Sequence, residues 1–240
     1  MNYRDKLYSK YISTHTFHLY GEVTSEKVKK QFIAWNKYFG DFLPKNKDAK
    51  IIDLGCGNGS FLLWLKEKGY SNIEGIDISK EQVEEAKKLG LENVYLADAL
   101  EFLKNKSECY DLMVARDLLE HLNKEEVLDF LELIFKSVKI GGHLIIQTSN
   151  AESPFCGKYR YGDFTHELSF TVNSLKQISY ATGFNEIIFR PQKPVVHGLK
   201  SMIRLFLWEA IEFFLRIYLL AGTGQKGEIL TQSIMAVLKK

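Results

Sequence analysis

Cysteine is scarce in this 240-residue sequence: Cys56, Cys109 and Cys156 are odd in number and far apart. No Cys-x-x-Cys pair occurs, which argues against a disulfide framework or a thiolate zinc site and fits a reducing, cytoplasmic compartment. Charge of one sign is lacking as well, since 32 Lys plus Arg stand against 30 Asp plus Glu, a formal net charge of +2. Without a broad basic field, nucleic acid is not the expected partner. The short basic runs "EKVKK" and "KNKDAK" read as a solvated helix face and a loop. The opening "MNYRDKLYSKYIS" has no apolar core of the kind that marks a secretory signal, so none is expected. Repeats and low-complexity tracts are missing too.

What is there, at 45% hydrophobic residues, is a chain able to bury one ordinary core. From Lys50 onward, apolar runs alternate with helical patterns: "KIIDLG", "FLLWLKEKG", "IEGIDIS", "EQVEEAKKLG", "NVYLADA", "YDLMVARD", "KEEVLDFLELIFKSVKIGG", "HLIIQTS". This alternation predicts an α/β fold with a parallel sheet covered on both faces. Upstream, Ser25 is placed to cap a helix whose Val28, Phe32, Trp35 and Phe39 recur at helical spacing, giving an N-terminal cover. After "HLIIQTS" comes a long Gly-, Pro- and aromatic-rich loop, "NAESPFCGKYRYGDFTHELSF", of a length that usually signals function. A helix ending at Gly183, a strand "FNEIIFR" ending at Pro191 and a closing strand in "EILTQSIMAVLKK" complete the pattern.

The segment "SMIRLFLWEAIEFFLRIYLLAG" is apolar apart from Arg204, Glu209, Glu212 and Arg216, whose charges argue against a transmembrane span. Glu209, Glu212 and Arg216 share one narrow stripe. Burial of the helix against its own domain is the first expectation for residues 201–221; a homodimer interface is the second and docking on a membrane surface the third.

The stretch "IIDLGCGNGSFLLWL" holds three glycines between two apolar runs, a turn that lets backbone approach a ligand at a helix N-terminus. It reads G-x-G-x-G rather than the G-x-G-x-x-G of dinucleotide sites, and Asp53 at the strand end would repel a pyrophosphate. A nucleoside carrying positive charge fits better.

On these residues the sequence resembles the class I S-adenosylmethionine-dependent methyltransferases. "DLGCGNG" matches their first motif, "IEGIDIS" ends the second strand with Asp77, 24 residues after Asp53, "YLADAL" ends the third with Asp98, and "YDLMVARDLLEHL" supplies the fourth. The resemblance implies a Rossmann-like, doubly wound, mostly parallel seven-stranded sheet with an antiparallel last strand, an N-terminal helical cover and a C-terminal apolar helix inserted before that last strand. It implies S-adenosylmethionine as cofactor. Asp77 would accept the ribose hydroxyls, with Ile78 packed on the adenine, while Asp98 and Ala99 would contact the ring edge. Gly55, Cys56 and Gly57 would approach the methionine moiety, Asp53 its ammonium, and Arg116 and Asp117 would sit beside the sulfonium.

For methyl transfer the chain must align the acceptor, exclude water and, for a hydroxyl, remove a proton. His166 is the leading base candidate because it lies in the long loop with Tyr159, Arg160, Tyr161 and Asp163, and histidine titrates near neutrality. Its D-x-T-H setting resembles methyltransferases of bacterial capsule and O-antigen synthesis. His121 is the second candidate, with Glu120 and His121 also readable as scaffold; Asp163 joins the catalytic set. Tyr159, Arg160 and Tyr20 are the expected acceptor contacts, with Lys158 beside them, and Tyr11, His15 and His18 are weighed as a lid or, more simply, as cover. No metal is expected: Asp163, His166 and Glu167 imitate only part of a site. An N-P-P-Y type motif is missing, which speaks against nucleobase and glutamine acceptors.

The reading is then one methyltransferase domain over residues 1–240: 1–45 as helical cover or lid, 46–150 as cofactor-binding core, 151–240 as the acceptor side. Its expected acceptor is a small molecule, a sugar hydroxyl or phosphorylated intermediate of bacterial surface-glycan synthesis. An N-methyltransferase on a small amine or amino sugar is the nearest alternative, and a non-catalytic cofactor-binding partner protein the next.

Overall fold

The computed structural model describes residues 3–227 and 229–240, without the side chain of Tyr20. The chain opens with α1 (Tyr3–Tyr8), a π-helical turn (Ile12–Thr16), α2 (Phe17–Tyr20) and α3 (Ser25–Phe39). It continues β1 (Ile51–Leu54), α4 (Ser60–Glu67), β2 (Ile73–Asp77), α5 (Lys80–Lys88), β3 (Val94–Leu96), α6 (Ala99–Leu103), β4 (Tyr110–Arg116), α7 (Lys124–Ser137) and β5 (Val138–Ser149). Then come α8 (Cys156–Arg160), α9 (Val172–Ala181), β6 (Glu186–Pro191), α10 (Leu199–Thr223) and β7 (Ser233–Lys239). Seven strands form one sheet in the order β3-β2-β1-β4-β5-β7-β6. The first five are parallel, while β7 runs antiparallel to both β5 and β6.

Each face of the sheet is sealed by its own apolar layer. Trp35 and Phe39 of α3 pack with Phe61 and Trp64 of α4 on one face; Phe130, Leu131 and Ile134 of α7 pack with Leu175 and Phe184 on the other. In α4 all of Phe61 to Leu65 are buried, and each such side chain contributes about 1.5–3 kcal/mol of transfer free energy. Gly59 makes that packing possible. A Cβ there would lie 2.4 Å from Leu91 Cδ1 and 2.9 Å from Ala86 Cβ, and its φ of +74° favours glycine.

Three boundaries differ from the sequence reading. Thr24, not Ser25, caps α3, its hydroxyl accepting the Lys27 N–H at 3.4 Å. "VKIGG" belongs to β5 rather than α7: the helix stops at Ser137, and Val138 already pairs with Tyr110. Residues 229–232 lead into β7 rather than forming part of it.

The larger correction concerns α10, which is not buried against its own domain. Only Ser201 and Glu212 are buried along its 25 residues, while Phe206, Phe214 and Tyr218 are 73%, 68% and 75% exposed. The reason is that the charged stripe turns inward: Glu212 receives Lys193 at 2.9 Å and Arg216 at 2.6 Å, and Arg216 also donates to the carbonyls of Lys226 and Gly227. No helix among the described residues is long and apolar enough to cross a membrane.

Candidate functional site

The parallel strands end on one side of the sheet, and strand order reverses between β1 and β4, the place where open α/β sheets form a ligand crevice. A cleft of about 1580 Å³ opens there. Its walls include Asp53, Gly55, Cys56, Gly57, Asp77, Ile78, Asp98, Ala99, Arg116 and Asp117. All ten expected cofactor residues, scattered over 65 positions of chain, thus meet at one opening.

Asp77 shapes the glycine turn: its carboxylate accepts the N–H groups of Gly57 and Ser79, each at 2.8 Å. A carboxylate has about four acceptor directions, so two remain for ligand hydroxyls. Gly55 and Gly57 sit at φ +67° and +54°, and a Cβ on Gly55 would come within 3.1 Å of Leu118 Cδ1. Ile78, 47% exposed, offers an apolar surface at the end of β2. Asp98 caps α6 through the Glu101 N–H at 3.0 Å. Asp117 is held at φ +52°, a strained backbone of the sort concentrated at functional sites, and accepts from Gln147 Nε2 at 2.7 Å.

Electrostatics single out Asp53. Burial, together with Asp77 and Asp117, pushes its carboxyl up to about 7 against the opposing pull of Arg116. Its Oδ1 is buried and finds no hydrogen-bond partner among the described residues. Asp77 is raised by burial, and Glu120 is driven to about 8 by burial and the charge of Asp117. Several buried carboxyls around one opening make negative charge costly until a cation arrives. Arg116 is not the surface ion-pair residue that its chemistry suggests. Its guanidinium lies 4.9 Å from the Trp35 ring centre and 4.8 Å from that of Phe61, with Phe39 at 5.7 Å.

The opposite wall brings His121, Asp163, His166, Lys158 and Tyr159 to the same cleft. Thr165 Oγ1 donates to Asp163 Oδ1 at 2.7 Å, so it must accept from His121 Nδ1, 2.9 Å away. His166 Nδ1 donates to the Tyr159 carbonyl at 2.8 Å. In its neutral form each imidazole is therefore the Nδ1–H tautomer, with its Nε2 lone pair unused by these bonds. Their ring centres are 4.6 Å apart. Burial and then His166 push His121 down to about 4, holding it neutral. Burial disfavours the Asp163 carboxylate, but the hydroxyls of Tyr11 and Thr165 outweigh it and keep this group below the usual range. The ligand atoms of His121, Asp163 and His166 lie within 4.8 Å of one another, close enough to meet on one cation; the Asp163 oxygens are already engaged by Tyr11 and Thr165.

Arg160 is not brought into the cleft. Its guanidinium donates to the backbone carbonyls of His166 and Glu167 and so braces the loop. The Tyr20 side chain falls outside the described residues. Conversely, the N-terminal segment matters more than its sequence suggested. Tyr11 donates to Asp163, with His15 3.4 Å from the same carboxylate. Arg4 binds Glu126 through two bonds of 2.6 and 2.8 Å, Tyr3 donates to Glu167, and the N–H groups of Ile12 and Ser13 bond Glu81. The available signal was the density of Tyr and His between residues 3 and 20, which a simple cover does not need.

Residues 26–187 match the methyltransferase domain family. The chain is 22% identical to the phosphoethanolamine N-methyltransferase of Plasmodium falciparum over 179 residues, 72% of this chain and 67% of that protein. To the tRNA U34 carboxymethyltransferase of Helicobacter acinonychis it is 26% identical over 156 residues, 58% of this chain and 57% of the relative. A solved SAM-dependent methyltransferase from Archaeoglobus fulgidus superposes with a TM-score of 0.66 at 24% identity, covering 90% of this chain and 97% of that one. The acceptors named in these relatives include a tRNA, so membership of the family does not decide against nucleic acid.

Proposed function

The chain belongs to the methyltransferase domain family and is an S-adenosylmethionine-dependent methyltransferase; from that premise we propose that its acceptor is a small polar molecule methylated on a hydroxyl. A sugar or phosphorylated sugar intermediate, as used in bacterial surface-glycan synthesis, is the class that fits the polar acceptor wall. The observation that carries this reading is the pair of imidazoles whose neutral forms leave Nε2 lone pairs unused beside Asp163 on the cleft wall. A hydroxyl must lose its proton as it attacks, and such lone pairs receive it; an amine that binds neutral needs no base.

The donor wall suits the cofactor. The orphaned Asp53 oxygen and neighbouring raised carboxyls would hold its positive charge, Asp77 its ribose hydroxyls, Ile78 and Ala99 its adenine, and Gly55 and Gly57 would let backbone lie against the methionine portion. When bound, S-adenosylmethionine supplies a methyl group activated by a sulfonium. Because His121 is held neutral, His166 is the member of the pair that takes the acceptor proton at Nε2, while its Nδ1–H stays on the Tyr159 carbonyl. Lys158 and Tyr159 would grip the acceptor, Lys158 as a point charge for phosphate. The N-terminal segment would exclude water by closing over both walls.

The test is an acceptor panel of sugars, sugar phosphates, nucleotide sugars and small amines, run with labelled cofactor on the wild type and on His166→Asn. Transfer to a hydroxyl acceptor that collapses in the variant supports the reading. Transfer to amines alone, unaffected by the substitution, establishes N-methylation instead, the chemistry named in the Plasmodium relative. Tight cofactor binding with no turnover on any acceptor favours a non-catalytic partner.

A further inference from the structure

Among the described residues, the outward face of α10 is a large apolar surface that methyl transfer does not use. With about 100° of turn per residue, Leu199, Phe206, Phe213, Phe214, Ile217 and Tyr218 fall within one continuous arc. That arc spans about 140°, as wide as the apolar stripe of at least about 100° that a surface helix ordinarily turns to a core. An isolated exposed apolar residue is ordinary, but a contiguous face of this extent marks an interaction surface.

Charge defines its borders. Lys200 and Arg204 lie along one edge and have no ion-pair partner among the described residues. Along the other edge Glu209 is bonded to Lys193 at 2.9 Å, and Arg216 lies one turn beyond Glu212. The acidic groups of the helix are thus neutralised on the protein side, and the free charge at the margin is basic. An apolar face with basic margins, lying on a folded domain and unable to span a bilayer, is the chemistry of a helix seated at a lipid interface.

We propose that the outward face of α10 docks on an anionic bilayer surface, the helix lying in the interface plane with Lys200 and Arg204 at the headgroups. The helix leaves the sheet after Pro191 and rejoins it at Ser233, both at the cleft end, since Pro191 pairs with Ile234 and Ser149 with Ser233. Gln192, at its entry, donates to Gln147 at 2.6 Å, and Gln147 in turn holds Asp117 on the cleft wall. Both junctions of α10 with the sheet thus lie at its cleft end. A second copy of the chain would not need basic margins, whereas anionic headgroups pair with them.

The experiment is co-sedimentation of the full chain with vesicles of phosphatidylcholine alone or mixed with phosphatidylglycerol, alongside light scattering for oligomeric state. The variants are Phe206→Glu/Phe213→Glu/Phe214→Glu and Lys200→Glu/Arg204→Glu, all at exposed positions, with a thermal melt of each to check that the fold is kept. Wild type should pellet with the mixed vesicles and less with phosphatidylcholine; the triple variant should lose at least about tenfold in binding and the charge variant several-fold, in a salt-dependent way. Wild type remaining in the supernatant with both vesicles overturns the proposal. So does a dimer that the triple variant dissolves without any vesicle binding, which assigns the face to a second copy.

Discussion

The two walls of the cleft are built by opposite means. On the donor wall, Asp53, the glycine turn, Asp77, Asp98 and Arg116 stand at the ends of consecutive strands and are set by backbone, as in the bonds from Gly57 and Ser79 to Asp77. On the acceptor wall the ties are side chain to side chain across great lengths of chain: Tyr11 to Asp163 spans 152 positions and Arg4 to Glu126 spans 122. A wall made of local backbone keeps its shape without ligand. One assembled from distant side chains can open, and chemistry that must admit an acceptor and then exclude water needs that freedom.

The sharpest way to break the comparison is His166→Ala, expected to lower turnover by about 10²–10⁴-fold with cofactor affinity unchanged, read by steady-state kinetics beside calorimetry. Equal losses in both would merge the two walls into one unit. Next is Asp53→Asn, which should weaken cofactor binding by about tenfold or more while raising the melting temperature of the ligand-free protein. The sign follows from its carboxyl being raised to about 7 in the fold. The unfolded chain releases this proton first, so the group's contribution to stability falls as pH rises from the ordinary carboxylate range to about 7. Cofactor affinity should rise as pH passes through about 7 and the carboxylate forms.

Tyr11→Phe removes a hydroxyl bond to a carboxylate, a contact of about 1.5–3 kcal/mol, and should raise the acceptor KM several-fold more than the donor KM. Smallest of all, Arg4→Ala breaks an ion pair whose partners are about a quarter exposed. It should cost well under about 1 kcal/mol and show chiefly as faster amide exchange across residues 3–20. No change in exchange would mean that Glu81 and Asp163 suffice to hold the segment.

Legibility in the sequence follows the same division. Strand ends and the glycine turn repeat at short range, so β1 to β4 could be read from the pattern, and the ten residues from Asp53 to Asp117 that the resemblance implies line one opening. The tautomers of His121 and His166 could not, because they depend on Thr165 and the Tyr159 carbonyl, whose positions only folding sets. Arg160 misled for a related reason: a guanidinium in a functional loop suggests a ligand, yet two carbonyls of its own loop claimed it. In α10 the periodicity was visible but not its direction: only folding brings Lys193, from the preceding segment, onto Glu209 and Glu212 of the charged stripe.

Because Pro191 and Ile234 lie side by side on adjacent antiparallel strands, an ordinary hairpin turn would suffice to join them. The entire excursion through α10 is therefore dispensable to the sheet, and residues 195–227 form a separable module. Excision with a short turn in their place is expected to keep the strand register and the cleft, at the cost of the Lys193 pairs with Glu209 and Glu212, which a thermal melt of the trimmed chain would check. What a chain trimmed in this way would give up is the exposed apolar face of α10.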